Sequence, residues 1–582
     1  MPSTTDESKL FLAHAEIKIA GEAIPELMDS MRDITVEMTL NMPSMAVLRI
    51  HDEQLKWVDD NRLAAGKAIE ISFGKQGETT PKKLFKGEIV SLEPRFTDMG
   101  AVMVVRAYDK LHRLGRGTYS KAFLNATVTD VVKSIVGEFG LSPNTDSASV
   151  VFESLIVDNE TPLAYLRRWA DHLGWIMWVG NDEKFYFKKV ASLGTIEAEW
   201  GADMTTFRPR LSAAAQATKV KVSGWDVKAK REYAEIISSS RFENKIGESK
   251  APNTLAQSAF GSEKEALVLN QYTTSSSEAR SAAQAELDDQ AYAGLEAEGT
   301  VFGNPDLLPG KLVNVTKVGT RFSGKYFVTS ATHIYSGESG YMTEWRSEGR
   351  TPRMIADLVT ADSVAGGGSG RAGRWYGLYP AIVTDNNDPE NLFRVKVKFP
   401  WWDDTLNTFW IRVVNSGGGA DRGFVNLPEV NDEVLVGFED GHMDRGYVLG
   451  GLYNGKDKPK NPSSALVNGG KVVLREWRSR AGHRITISDK SGEEFIEIID
   501  ASGKFQMKFD ITAKKTSVVN EQKKVEMESG KILVESDSNV EVKAQGNIKI
   551  TGMGNVDVEA SGNLGLKATG QVTIKGAVVN IN

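Results

Sequence analysis

From Asn539 the sequence repeats every eight residues: NVEVKAQG, NIKITGMG, NVDVEASG, NLGLKATG, QVTIKGAV. Each octad opens on Asn or Gln, carries an apolar pair two residues apart, and in four of the five copies closes on Gly. An i, i+2 pair places both side chains on one face of a strand. Gly and Asn tolerate the left-handed backbone that short strands need between them. A fixed short period of this kind means a β-solenoid or a multi-chain prism. The hexapeptide and GGxGxD nonapeptide patterns of single-chain solenoids are missing. No aromatic residue lies beyond Phe509, so the last 73 residues lack the ring volume of an ordinary core.

One chain offers a stripe of ten side chains: Val540, Val542, Ile548, Ile550, Val556, Val558, Leu564, Leu566, Val572 and Ile574. Fully buried, each is worth ~1.5–3 kcal/mol, which does not offset ~1–2 kcal/mol of backbone entropy for every residue ordered. Three chains wound together would bury all the stripes on one axis and pair every strand edge. The expected form is therefore an intertwined trimeric β-helix with these ten residues as its core. KILV (531–534) keeps the frame, whereas Val525/Met527 and Val579/Ile581 are shifted by one. The regular prism should cover about 531–578, with irregular strands before it.

Glycine divides the rest of the chain. Residues 1–361 hold 26 of the 55 glycines and residues 362–582 hold 29, and the small-residue run DSVAGGGSGRAG (362–373) marks the boundary as a linker. Between 374 and 460 lie five strand-like segments: YPAIVT (379–384), FRVKVKF (393–399), TFWIRVV (408–414), EVLVGFE (433–439) and GYVLGGLY (446–453). FRVKVKF alternates, setting Phe393, Val395, Val397 and Phe399 against Arg394, Lys396 and Lys398. Five short strands suggest an OB-like barrel. With 11 basic and 13 acidic residues over 371–460, it does not read as a nucleic-acid binder. The first 361 residues are mainly strand-like, with helical patterns at 126–140, 161–174 and 276–294. In the second helix Thr161 is placed to cap and Pro162 to open, with Leu163, Leu166, Trp169, Ala170 and Leu173 on one face and Arg167 and Arg168 turned to solvent.

No catalytic constellation is visible. The absence of cysteine excludes disulfides, thiolate zinc sites and cysteine nucleophiles, and the seven histidines never take a metal-ligand spacing. There is no GxSxG, no Walker motif and no GxGxxG following a strand-like segment. EDGHMDRG (439–446) clusters acids around His442 but reads as a turn between strands, as Glu493/Glu494 beside Ser-Gly read as a solvated turn rather than a glycosidase dyad. Seventy basic against 77 acidic residues exclude a polybasic binder, and the N-terminus carries no secretory signal pattern.

The segment LPEVNDEVLVGFEDGHMDRGYVLGGLYNGKDKP (427–459) resembles the signature of the valine-glycine repeat (VgrG) spike family of contractile injection systems. ETPLAYLRRWADHLGWIMW (160–178) is similar to the helix–strand element of that family's tube-binding hub, and GHRITISDKSGEEFIEIID (482–500) to its entry into the β-helix. The resemblance implies a mainly β, multidomain chain. Its parts would be a β-barrel hub with a few helices (1–361), the linker (362–373), an OB-like barrel (374–460), a β-rich transition (461–530) and a triple-stranded needle (531–582). It implies a non-enzymatic homotrimer without cofactors, made and assembled in the bacterial cytoplasm and delivered outside the cell on firing. The implied partners are the inner tube protein, baseplate proteins, effector cargo, and a small tip protein with proline-alanine-alanine-arginine repeats seated on Val578, Val579 and Ile581. The 70 residues between 461 and 530 leave no room for an inserted lysozyme domain. The competing reading is a secreted glycan-binding or glycan-degrading β-helix protein, which would be a monomer with aromatic sugar platforms and paired acids.

Overall fold

The computed structural model describes residues 14–581 except 350–374 and 400–408 and short gaps at 76–77, 79, 99, 215, 227–228, 242, 262, 269–272, 274, 338–339, 444, 522–524, 526 and 528–529. The linker expected at 362–373 lies outside the described residues. Contacts divide the chain into two compact units, 1–458 and 459–582.

Alternating apolar residues in the strands up to Tyr108 build the backbone of the first unit. Ile34, Val36, Ile69, Ile71, Phe73, Met103 and Val105 all turn into one core. Their strands join an eleven-stranded sheet ordered Met204–Leu211, Leu295–Phe302, Gly340–Ser347, Ser330–Ser336, Met31–Thr39, Met45–His51, Gly100–Tyr108, Lys82–Thr97, Ala68–Phe73, Ala15–Ile19, Glu22–Ala23. Strands from residues 15–108 are thus completed by strands from 204–347. Gly87 sits where a Cβ would lie 2.3 Å from the Tyr108 carbonyl oxygen, so a side chain there would push apart the strands Lys82–Thr97 and Gly100–Tyr108. The resemblance implies a barrel in this part; among the described residues the first and last strands of this sheet are not bonded to each other. Bulges between Met31/Asp33 and Ile89/Ser91 bend it without joining those edges.

The three helical patterns are helices. Val128–Glu138 begins with a capping box between Thr127 and Asp130. Pro162–Leu173 is capped by the Thr161 hydroxyl, which accepts from the Ala164 amide at 3.2 Å, and ends at left-handed Gly174. Ser276–Gly294 is capped by Ser275 and packs its buried Ala279, Ala282, Ala283 and Leu287 against Val220, Val222 and Ile237. The face of the second helix is rotated from the expected one. Tyr165, Leu166 and Ala170 are buried while Leu163, Trp169 and Leu173 are half-buried. The placement of Arg167 and Arg168 in solvent is corrected: both are half-buried, and Arg168 meets the buried Glu160 at 2.7 Å.

Five strands, Leu378–Asp385, Arg394–Lys398, Ile411–Val413, Gly446–Gly451 and Glu433–Phe438, close a barrel in that order. The strand-like segments of the sequence supply all five. Their inward residues include Val383, Val395, Val397, Val434, Val436 and Val448. One residue breaks the alternation of FRVKVKF: Arg394 is only 6% exposed.

In the second unit Leu474–Arg478, Arg484–Lys490, Glu493–Ile499, Phe505–Asp510 and Lys515–Asn520 form a five-stranded antiparallel meander. Beyond Asn520 the described residues contain no hydrogen-bonded strand, and each is exposed in the single chain.

Candidate assembly surfaces and the barrel junction

The octads place their apolar pairs in a regular rhythm of exposure. The first member of each pair, Val540, Ile548, Val556, Leu564 and Val572, is 51–59% exposed, and the second, Val542, Ile550, Val558, Leu566 and Ile574, is 63–77% exposed. Val578, Val579 and Ile581 remain exposed as well. Among the described residues the stripe belongs to none of the buried hydrophobic clusters. An apolar stripe with unpaired strand edges is a template for pairing with other chains.

The barrel carries a polar anchor. Arg394 Nε and Nη2 donate to the two carboxylate oxygens of Asp388 at 2.9 and 2.8 Å, and the amides of Glu390 and Leu392 donate to the same carboxylate. The Arg394 guanidinium holds the Asp388 carboxyl down at about 2. Where the barrel meets the strand Val151–Glu160, the Trp375 indole N–H donates to the Asp158 carboxylate. The Trp375 ring packs on Tyr379, Phe399 and Phe438, with centroids 4.6–5.6 Å away. Burial raises the Asp158 carboxyl, and the Trp375 hydrogen bond opposes that rise. Ile156 packs into the same cluster, so the strand Val151–Glu160 docks the barrel. No local pattern in the sequence points to Asp158 or Trp375, because each acquires its role through a partner far away in the chain.

The polar clusters suspected of chemistry are turns. Glu439–Gly441 is a single helical turn in which the Glu439 amide donates to the Arg445 carbonyl at 3.0 Å. The Glu439 carboxylate accepts from the Tyr447 hydroxyl at 2.8 Å, and Asp444 lies outside the described residues. Glu493 meets Lys490 at 2.8 Å, while Glu494 accepts from the Thr512 hydroxyl. His172 faces Glu278 at 3.2 Å. His333 is buried between the hydroxyls of Tyr341 and Thr343, and burial lowers its pKa to about 3. Among the described residues no three acidic or histidine side chains converge as a metal site.

The model of the Alg8 N-terminal domain matches residues 10–336, more than half of the chain. The type VI secretion system/phage-baseplate injector OB domain matches 379–453, the stretch that forms the closed barrel. The type VI secretion system spike protein VgrG5 of Pseudomonas aeruginosa is 27% identical over 208 residues, covering 29% of this chain and 26% of that protein. The chain belongs to the VgrG family of spike proteins, with an Alg8-type N-terminal domain. VgrG2a of the same organism is 30% identical over 106 residues, covering 17% of this chain and 12% of the relative. The actin cross-linking toxin VgrG1 of Vibrio cholerae is 30% identical over 109 residues, covering 18% and 10%. The chain therefore spans about a quarter or less of the length of these VgrG relatives. A chain of the Francisella PdpA–VgrG complex in its lidded form shares the fold at a TM-score of 0.52, with 10% identity over 88% of this chain and 79% of that one. The half-lidded form gives 0.51, with 9% identity over 87% of each.

Proposed function

We propose that three copies of this chain form the non-enzymatic spike of a contractile, phage-tail-like injection system. The first 361 residues bind the inner tube and baseplate, the barrel joins them to the needle, and the octads wind into a three-chain β-helix that punctures the target envelope. The observation that carries this reading is the tail: ten apolar side chains, all more than half exposed, recur in an eight-residue frame with no strand among the described residues to cover them. A needle built this way has no soft single-chain core, because each layer exists only when all three chains contribute. Val578, Val579 and Ile581, where the frame slips, contact a small capping protein. The spike reading also accords with the relatives, which are named as type VI spike proteins.

Analytical ultracentrifugation of the full chain tests the assembly. The expected mass is three times that of the 63.7 kDa chain. Truncation after Ser538 should weaken the trimer or its resistance to detergent. A monomer would sink the reading and favour a single-chain glycan-active protein.

A further inference from the structure

The five-stranded meander of the second unit is built inside out. Cross-strand pairing places Trp477, Ile485, Ile498, Met507 and Val518 in one row across the sheet. Ile487, Ile496 and Phe509 follow in the next row on the same face. These eight side chains are 39–63% exposed. The opposite face, which alternation would assign to solvent, is the covered one: Thr486, Ser488 and Glu497 are 4–8% exposed. There Arg484 reaches Glu497 at 3.5 Å and Glu476 at 3.9 Å, Arg478 meets Glu476 at 2.7 Å, and Gln506 donates to Glu497. The covered face buries these charges beside Ile499, while the eight apolar side chains of the other face are left over for another surface.

Two features identify that surface as further copies of this chain. In a symmetric contact every residue meets its own copies or their neighbours, so a net charge in the centre would be multiplied against itself. The charges on this face lie at one end: Arg475 is neutralised by Asp489 at 2.5 Å, and Glu494 is held by Thr512. The face also stands directly before the octad stripe in the same compact unit, and both are uncovered in one chain.

The octads leave one matter undecided, and the sheet can decide it. Five repeats of one apolar frame can slip past one another by eight residues and still pair four of five, so the repeat specifies its axial register weakly. The apolar face of the sheet, by contrast, carries a sequence that does not repeat along the chain. Building on the proposed trimer, we infer that the apolar face of the 474–520 sheet is the contact at which three chains first meet, and that this contact sets the register from which the octads wind.

The chain contains no cysteine, so a single introduced thiol reports cleanly. Ile498→Cys in the full chain, treated with a short bismaleimide, should give covalent dimers and trimers, while Lys515→Cys on the opposite face should not. An intact Ile498→Cys trimer that yields no cross-linked species would overturn the inference, whereas a monomeric parent chain would overturn the trimeric spike itself. The double variant Ile496→Ser/Ile498→Ser, checked for an unchanged far-UV spectrum, should regain the trimer at least tenfold more slowly after dilution from denaturant, with staggered oligomers among the products. Refolding at the parent rate to a uniform trimer would equally refute the register role.

Discussion

Replacing Val556 with Asp strikes the middle of the proposed needle with the least disturbance elsewhere. In the single chain Val556 is 54% exposed, has no strand partner and belongs to no buried cluster, so the substitution leaves the monomer almost untouched. Assembly would bury the remaining half of the side chain, worth about 1 kcal/mol per chain. The variant forfeits that and brings three carboxylates toward one axis. At about 2 kcal/mol for each unpaired polar group forced from water, a low value for an ionised one, the trimer loses roughly 6–9 kcal/mol in all. That corresponds to about four to six decades in the trimer dissociation constant. Sedimentation velocity over a concentration series reads it directly, with Thr551→Asp, three residues after Ile548 on the alternate side of its strand, as the control for added charge. The pH response has a definite sign. The new carboxyl keeps its ordinary pKa of about 3.9 in the monomer, and burial raises it in the trimer. The trimer then binds more protons, and assembly should recover as pH falls from about 6 to 4. A Val556→Asp chain that trimerises like its parent at pH 7 would refute the axial placement of this residue.

Arg394→Leu should destabilise the barrel by about 3 kcal/mol in chemical denaturation, since it strands the buried Asp388 carboxylate without its bidentate partner. In the parent chain that carboxyl sits at about 2, below its unfolded value, so its contribution is complete above pH ~4 and disappears as pH falls toward 2; Arg394→Leu should flatten this part of the stability profile. Trp375→Phe keeps the ring stack but removes the donor to Asp158, costing about 1–3 kcal/mol at pH 7. Because burial already raises Asp158 and loss of the Trp375 donor raises it further, protonation relieves the loss, and the variant should regain stability relative to the parent as pH falls. Pull-down of a co-expressed capping protein should fail without residues 571–582, and retained binding would place the contact elsewhere. Purified protein should not cleave peptidoglycan; turnover abolished by a point substitution would overturn the non-enzymatic reading.

What could be read from the sequence was whatever repeats or caps locally. The second helix announces itself through Thr161 and Pro162, and the barrel strands through runs such as FRVKVKF, because periodicity and capping are properties of neighbouring residues. Arg394 looked like one more solvent-facing base until Asp388, six residues back, folded under it. The Trp375–Asp158 bond joins positions 217 residues apart and leaves no trace in either neighbourhood. RITISD gives a strand plainly, yet its alternation cannot say which side is covered, and the structure covers Thr486 and Ser488 rather than the isoleucines. Local pattern fixes the period of an element; its polarity toward the core is decided by whatever arrives from elsewhere.

The order of the eleven-stranded sheet also sets a timetable. Met31–Thr39 finds one neighbour at once in Met45–His51, but its other edge pairs with Ser330–Ser336, about 290 residues later. At about 5–20 residues per second of synthesis, that edge waits roughly 15–60 seconds after leaving the ribosome. Throughout the delay the nascent chain displays a formed, half-satisfied hairpin beside the growing polysome, where identical edges on neighbouring chains are the nearest competitors for pairing. A ribosome that stalls before codon 330 therefore leaves a product in which the Met31–Thr39 edge lacks its Ser330–Ser336 partner.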